Sequence, residues 1–78
     1  MGVTVSAIVK RINRKLAADY EKLRASRGAR AEMDLGRFFI IDVNRNFIVE
    51  KHVDVEELAR RLNVLADWES VVESVNRS

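Results

Sequence analysis

The sequence predicts a small α+β protein with the element order α-β-β-α-α. Three observations lead to this prediction: apolar residues at helical spacing in the first third of the chain, two β-rich runs joined by an asparagine-containing turn, and a helix-capping pair formed by Asp54 and Glu57. The 78 residues include no proline and show no internal repeat. We therefore expect a single domain over residues 1–78.

The first helix is predicted over residues 5–27. Thr4 or Ser6 can cap its beginning, and Gly28 is suited to its C-terminal cap. Between these points apolar side chains recur at steps of three and four, which places them on one stripe of a helix. The residues of this stripe are Val5, Ile8, Val9, Ile12, Leu16, Tyr20 and Leu23.

Residues 29–35 alternate small or apolar residues with charged ones, which fits either an edge strand or an extended connector. The strongest β signal follows, in residues 37–43 and 47–53. Asn44, Arg45 and Asn46 join these runs, and Asn46 is suited to the left-handed conformation that ends a three-residue hairpin loop. The sequence therefore predicts an antiparallel hairpin.

Both faces of the predicted hairpin carry apolar residues. Pairing Ile41 with Val49 gathers one group on the face expected to meet the core: Phe39, Ile41, Val43, Phe47, Val49 and Val53. The opposite face then carries Phe38, Ile40 and Ile48, which we predict to be a protein interface. A chain this small is poorly able to cover both faces of a sheet, so we expect a homodimer. The alternative is that the last helix covers this face within one chain.

The C-terminal third predicts two short helices. Asp54 and Glu57 open the first, with an inner stripe of Val55, Leu58, Ala59 and Leu62, and Asn63 can close it. Asp67 is suited to cap a last helix. The inward-facing residues of that helix would be Trp68, Val71, Val72 and Val75. Residues 56–75 resemble a helix-turn-helix, but Asp67, Glu69 and Glu73 would make its second helix acidic, and phosphates repel such a helix.

Charge is distributed unevenly along the chain. Residues 1–38 carry nine Lys or Arg against four Asp or Glu, and residues 39–78 carry five against eight. The polar arc of the first helix holds five of these cations: Lys10, Arg11, Arg14, Lys15 and Lys22. They form a candidate anion-binding or nucleic-acid-binding face, although a solvated helix face explains them as well.

Composition excludes several kinds of site. There is no cysteine and a single histidine, which excludes thiolate and imidazole-rich metal sites, and no glycine-rich loop is present to hold phosphates. His52 has no serine or cysteine placed as its nucleophile, although Asp42 could share its face. We therefore expect no catalytic residue, cofactor or metal. No apolar run reaches the roughly 20 residues of a membrane span, and we expect a cytoplasmic protein.

These observations favour a small non-enzymatic protein that acts as a homo-oligomer by binding another macromolecule, with a protein as the expected partner. The alternative function is a nucleic-acid-binding regulator that uses the basic face of the first helix.

Overall fold

The computed structural model describes residues 2–72. These residues form three α-helices and five strands, including an antiparallel hairpin, which confirms the predicted α+β class. The element order differs from the predicted one. The elements are β1 (Gly2–Thr4), α1 (Val5–Leu16), β2 (Glu21–Ala25), α2 (Ala29–Leu35), β3 (Phe38–Asp42), β4 (Phe47–Glu50), α3 (Val55–Arg61) and β5 (Ser70–Val72).

Helix α1 begins where the sequence predicts. The Thr4 side-chain oxygen accepts a hydrogen bond from the Ala7 backbone N–H at 3.2 Å, and Ile8 and Ile12 are fully buried one turn apart. The helix ends at Leu16 and passes through one 3₁₀ turn to Tyr20, which is left-handed with φ 58°. The predicted helix over residues 5–27 is therefore wrong beyond this turn.

The second half of that predicted helix is strand β2, which pairs antiparallel with β3. Leu23 lies opposite Ile40, and both side chains are buried. The outward backbone groups of Leu23 are held by Asn13 of α1: the Asn13 amide oxygen accepts from the Leu23 N–H at 2.7 Å, and its amide nitrogen donates to the Leu23 carbonyl at 3.3 Å. Leu23 fits the helical spacing in the sequence, yet it lies in a strand. Its backbone partners, β3 and Asn13, are distant in the chain, so the local pattern does not reveal them.

Residues 29–35 form helix α2, so both the edge strand and the extended connector are wrong. The helix begins after Gly28 and ends at Gly36, and both glycines have φ between 79° and 87°. Gly36 lies against the backbone of His52, whose N–H donates to the Leu35 carbonyl at 2.7 Å. This contact ties the end of α2 to the segment that leads into α3.

The hairpin is present, but its register near the turn is shifted by one residue. Asp42 pairs with Phe47 and Ile41 with Ile48, and a bulge separates these pairs from Ile40, which pairs with Glu50. Asn46 has the predicted left-handed conformation, with φ 59°. The loop is one residue longer than predicted, because the Asp42 side-chain oxygen accepts the backbone N–H groups of Asn44 and Arg45.

Burial of the Leu23–Ile40 pair inverts the predicted faces of β3. Ile40 is 3% exposed and Phe38 packs against the core, so both face inward. Ile41 lies opposite Ile48 and faces away from the core with Phe39. The predicted grouping of Phe38, Ile40 and Ile48 on one outward face is therefore wrong.

Helix α3 confirms its prediction. The Asp54 side chain accepts the Glu57 N–H at 3.1 Å, Val55, Leu58 and Ala59 are buried, and Asn63 follows the helix with φ 61°.

The predicted last helix is wrong over the described residues, because Ser70–Val72 form β5, which pairs in parallel with β1. Trp68 is 73% exposed instead of facing inward. Val75 and Glu73 lie outside the described residues. The resemblance to a helix-turn-helix does not hold, since a strand stands where its second helix should begin.

Helix α1 contacts both α3 and β2, and the buried side chains of the two helices form one layer with those of the three-stranded sheet, whose strand order is β2-β3-β4. The core lies in this layer and joins Ile8, Ile12, Leu23, Ile40 and Leu58. The Cα positions span 36 × 31 × 15 Å, which is the thickness of two layers. The sheet therefore has a second, open face. No helix among residues 2–72 is long and apolar enough to cross a membrane.

Candidate functional site

Four of the eight exposed large apolar side chains among residues 2–72 lie on the β3–β4 hairpin, whereas Tyr20, Met33, Trp68 and Val72 lie on other parts of the chain. Val43, Phe47, Ile48 and Val49 are 40–48% exposed and follow one another around the turn and along β4; we call them the hairpin patch. Within the described residues β4 pairs with β3 alone, so it is an edge strand of the sheet. An apolar edge strand without proline or a central charge is open to pairing with another chain. Of the three residues predicted as an interface, Ile48 alone lies on this patch.

The open face of the sheet carries a second surface. The register places Arg24 opposite Phe39, and Lys22 opposite Ile41, which in turn lies opposite Ile48. Directly opposite residues of an antiparallel pair share one side of the sheet, and their Cβ atoms lie about 4.5–5.5 Å apart. Lys22, Arg24 and Ile48 are exposed, whereas Phe39 and Ile41 are half-buried. We call these five residues the outer sheet face.

The predicted basic face of the first helix is divided by the structure. Lys10, Arg14 and Lys15 lie exposed on α1, but Lys22 belongs to the outer sheet face. Arg14 and Lys15 line an open concavity of about 350 Å³ together with Arg11 and Val64. The five cations therefore do not form one continuous surface.

Arg11 is engaged in holding the segment that leads to β5. Its guanidinium lies 3.0 Å from a Glu69 carboxylate oxygen and donates to the Val64 carbonyl at 3.1 Å. The same carboxylate accepts the Ala66 backbone N–H at 3.0 Å. The bond from Ala66, and then the hydrogen bond from Arg11, hold the pKa of Glu69 below its ordinary value, because both favour the charged form.

Arg60 of α3 reinforces this segment from the other side. Its guanidinium donates to the Ala66 carbonyl at 3.3 Å and to the Glu69 carbonyl at 2.8 Å, and it lies 3.1 Å from Glu56. Glu69 is one of the acidic residues that make the second helix of a helix-turn-helix improbable from the sequence. In the structure it anchors the connection between α3 and β5.

The pair of Asp42 and His52 considered in the sequence does not form. Asp42 lies at the hairpin turn, where its carboxylate accepts the Asn44 and Arg45 N–H groups. His52 lies beyond the far end of β4, beside Gly36. Over residues 2–72 the structure brings together no group of three or more His, Cys, Asp or Glu that could hold a metal ion.

Sequence reasoning missed the outer sheet face because it assigned Lys22 and Arg24 to a helix. The signal that could have found it is the alternation over Glu21–Ala25, in which one apolar residue, Leu23, stands between two cations. Strand spacing turns those two cations to the same side.

Comparison of the chain with protein-family models, with curated proteins and with solved structures finds no match. A function has to be inferred from the surfaces of the molecule itself.

Proposed function

We propose that the protein is a small non-enzymatic binding protein that self-associates as a homodimer through the hairpin patch. The observation that carries this proposal is the concentration of exposed apolar side chains on an edge strand. Phe47, Ile48 and Val49 are consecutive, so both sides of β4 present apolar surface.

The exposed hairpin patch is expected to be covered by another chain or element. Edge strands of soluble proteins are usually protected by charges, by proline or by a covering element. Here the first charged residue of β4 is Glu50 at its end, where it pairs with Arg61 at 3.3 Å. The bulge at Val49 limits how far a ladder can extend, so side-chain burial supplies most of the expected association energy.

A second copy of this chain is the occupant that the surface fits best. The hairpin patch has no charged member, so two copies related by a two-fold axis bury no unpaired charge when their patches meet.

Sedimentation of wild type and two lysine variants tests this proposal. Phe47→Lys places a charge in the hairpin patch, and Val72→Lys places one at a similarly exposed apolar position on β5. We expect wild type and Val72→Lys to sediment as dimers over about 10–500 µM, and Phe47→Lys to sediment as a folded monomer. The melting temperature of wild type should rise with concentration, because folding and association are linked.

A wild type that stays monomeric at about 500 µM, with a melting temperature independent of concentration, would contradict the proposal. So would a Phe47→Lys variant that still dimerises, because the interface would then lie elsewhere.

A further inference from the structure

We propose that the outer sheet face binds single-stranded nucleic acid. The proposal concerns a different surface from the homodimer contact, since the outer sheet face and the hairpin patch share Ile48 alone. It also differs from a nucleic-acid site on α1, because it uses strand residues on the open side of the sheet.

Cross-strand register supplies the first argument. Arg24 lies opposite Phe39, and Lys22 opposite Ile41, so each cation has an apolar side chain beside it on the same side of the sheet. A base can stack on the Phe39 ring while the neighbouring guanidinium or ammonium contacts its phosphate. Stacking tolerates every base, because each base has a π face.

Charge complementarity supplies the second argument. None of the five positions of the outer sheet face carries a carboxylate. The acidic residues on these strands have other positions: Glu21 lies opposite Asp42 on the other side of the sheet, Asp42 caps the hairpin turn, and Glu50 pairs with Arg61. A polyanion can therefore approach Lys22 and Arg24 without meeting a negative charge on this face.

The size and shape of the outer sheet face favour binding of a single strand over binding of a duplex. The three strands are four or five residues long, so the open face measures about 15 Å in each direction, which accommodates a few nucleotides. A duplex groove is read by an element that projects from the surface, such as a helix or a two-stranded ribbon. Unstacked bases, in contrast, can lie directly on a sheet.

Fluorescence anisotropy with a labelled oligouridine of about 12 nucleotides in ~50 mM salt tests this inference. We expect wild type to bind, and Phe39→Leu to lower affinity about 10-fold or more, because an apolar side chain without a ring cannot stack. Phe39→Tyr keeps the ring and should bind like wild type. Arg24→Gln should weaken binding and reduce the slope of log affinity against log salt by about 0.7.

Lys10→Gln provides the matched control, because Lys10 is an exposed cation on the outward arc of α1. It should bind like wild type. The inference is overturned if wild type fails to bind, if Phe39→Leu binds as well as Phe39→Tyr, or if Lys10→Gln weakens binding as much as Arg24→Gln. A duplex that competes better than the oligouridine overturns it too.

The oligomeric state of each variant separates this inference from the proposed homodimer. We expect Arg24→Gln to keep the wild-type sedimentation behaviour. Dissociation of Arg24→Gln into monomers, with no binding of nucleic acid by wild type, would assign the outer sheet face to a second copy and overturn the inference.

Discussion

The two glycines that flank α2 offer a matched test of how tightly this helix is fixed. Gly28 has φ 87° and ψ 157°, and Gly36 has φ 79° and ψ −178°. Both lie in a region that is essentially restricted to glycine, where another residue costs about 1–3 kcal/mol. Their surroundings differ. A Cβ atom on Gly28 meets nothing within 4 Å, whereas one on Gly36 lies 2.6 Å from the His52 Cα atom.

We therefore expect Gly28→Ala to lower the free energy of unfolding by about 1–3 kcal/mol, through backbone strain alone. Gly36→Ala should lose this amount and a further ~1–3 kcal/mol, because the backbone around His52 must move. A domain of 78 residues has a total stability of about 4–12 kcal/mol, so the second variant approaches the limit of folding.

Urea unfolding followed by circular dichroism measures both losses. The two variants should differ by at least about 1 kcal/mol, or about 4–8 °C in melting temperature for a domain of this size. Complete loss of folding in Gly36→Ala alone agrees with the expected order. Equal losses in the two variants would refute the close approach between Gly36 and His52.

Four further substitutions test the core, the strand edge and the Glu69 anchor. Ile40→Ala should cost about 2–5 kcal/mol, and Ile41→Ala less, because the first side chain is buried and the second is half-buried. Asn13→Ala should cost about 1–3 kcal/mol, because it leaves two part-buried backbone groups of β2 without their partner. The folded state lowers the pKa of Glu69, so its contribution to stability is present above the unfolded-state pKa and is lost as pH falls through the lowered folded-state pKa. Glu69→Gln should therefore flatten the acid limb of a stability–pH curve.

Each of these expectations has an opposing result. A greater loss in Ile41→Ala than in Ile40→Ala would restore the face assignment predicted from sequence. An Asn13→Ala variant as stable as wild type would show that solvent replaces the amide. An unchanged acid limb in Glu69→Gln would place the acid-sensitive group elsewhere.

Elements with local signals could be predicted from the sequence alone. The Thr4 cap, the Asp54–Glu57 pair and the left-handed Asn46 all lie within a few residues of the structure they specify. A side chain that caps a helix or completes a turn forms its hydrogen bonds with near neighbours, so its effect is visible in the pattern.

Where a segment's partner is distant, the pattern favoured the wrong element. Leu23 continues the helical spacing of α1, yet it forms a strand because β3 pairs with it and Asn13 satisfies its outward backbone groups. Ser70–Val72 follows an apparent cap at Asp67, yet it pairs with β1 at the other end of the described chain. Local propensity differs little between these alternatives, and pairing energy from remote strands selects between them.

The surfaces on which the functional proposals rest depend on tertiary packing and could not be predicted from the sequence. Both faces of the hairpin are apolar, so alternation alone could not assign Ile40 or Phe39 to the core. The Asp42 side chain lengthens the turn, and the bulge at Val49 shifts the pairing by one residue. A one-residue shift exchanges the two sides of a strand relative to its partner. Pairing with β2 places Ile40 in the core opposite Leu23 and leaves Phe39 beside Arg24 on the other side of the sheet.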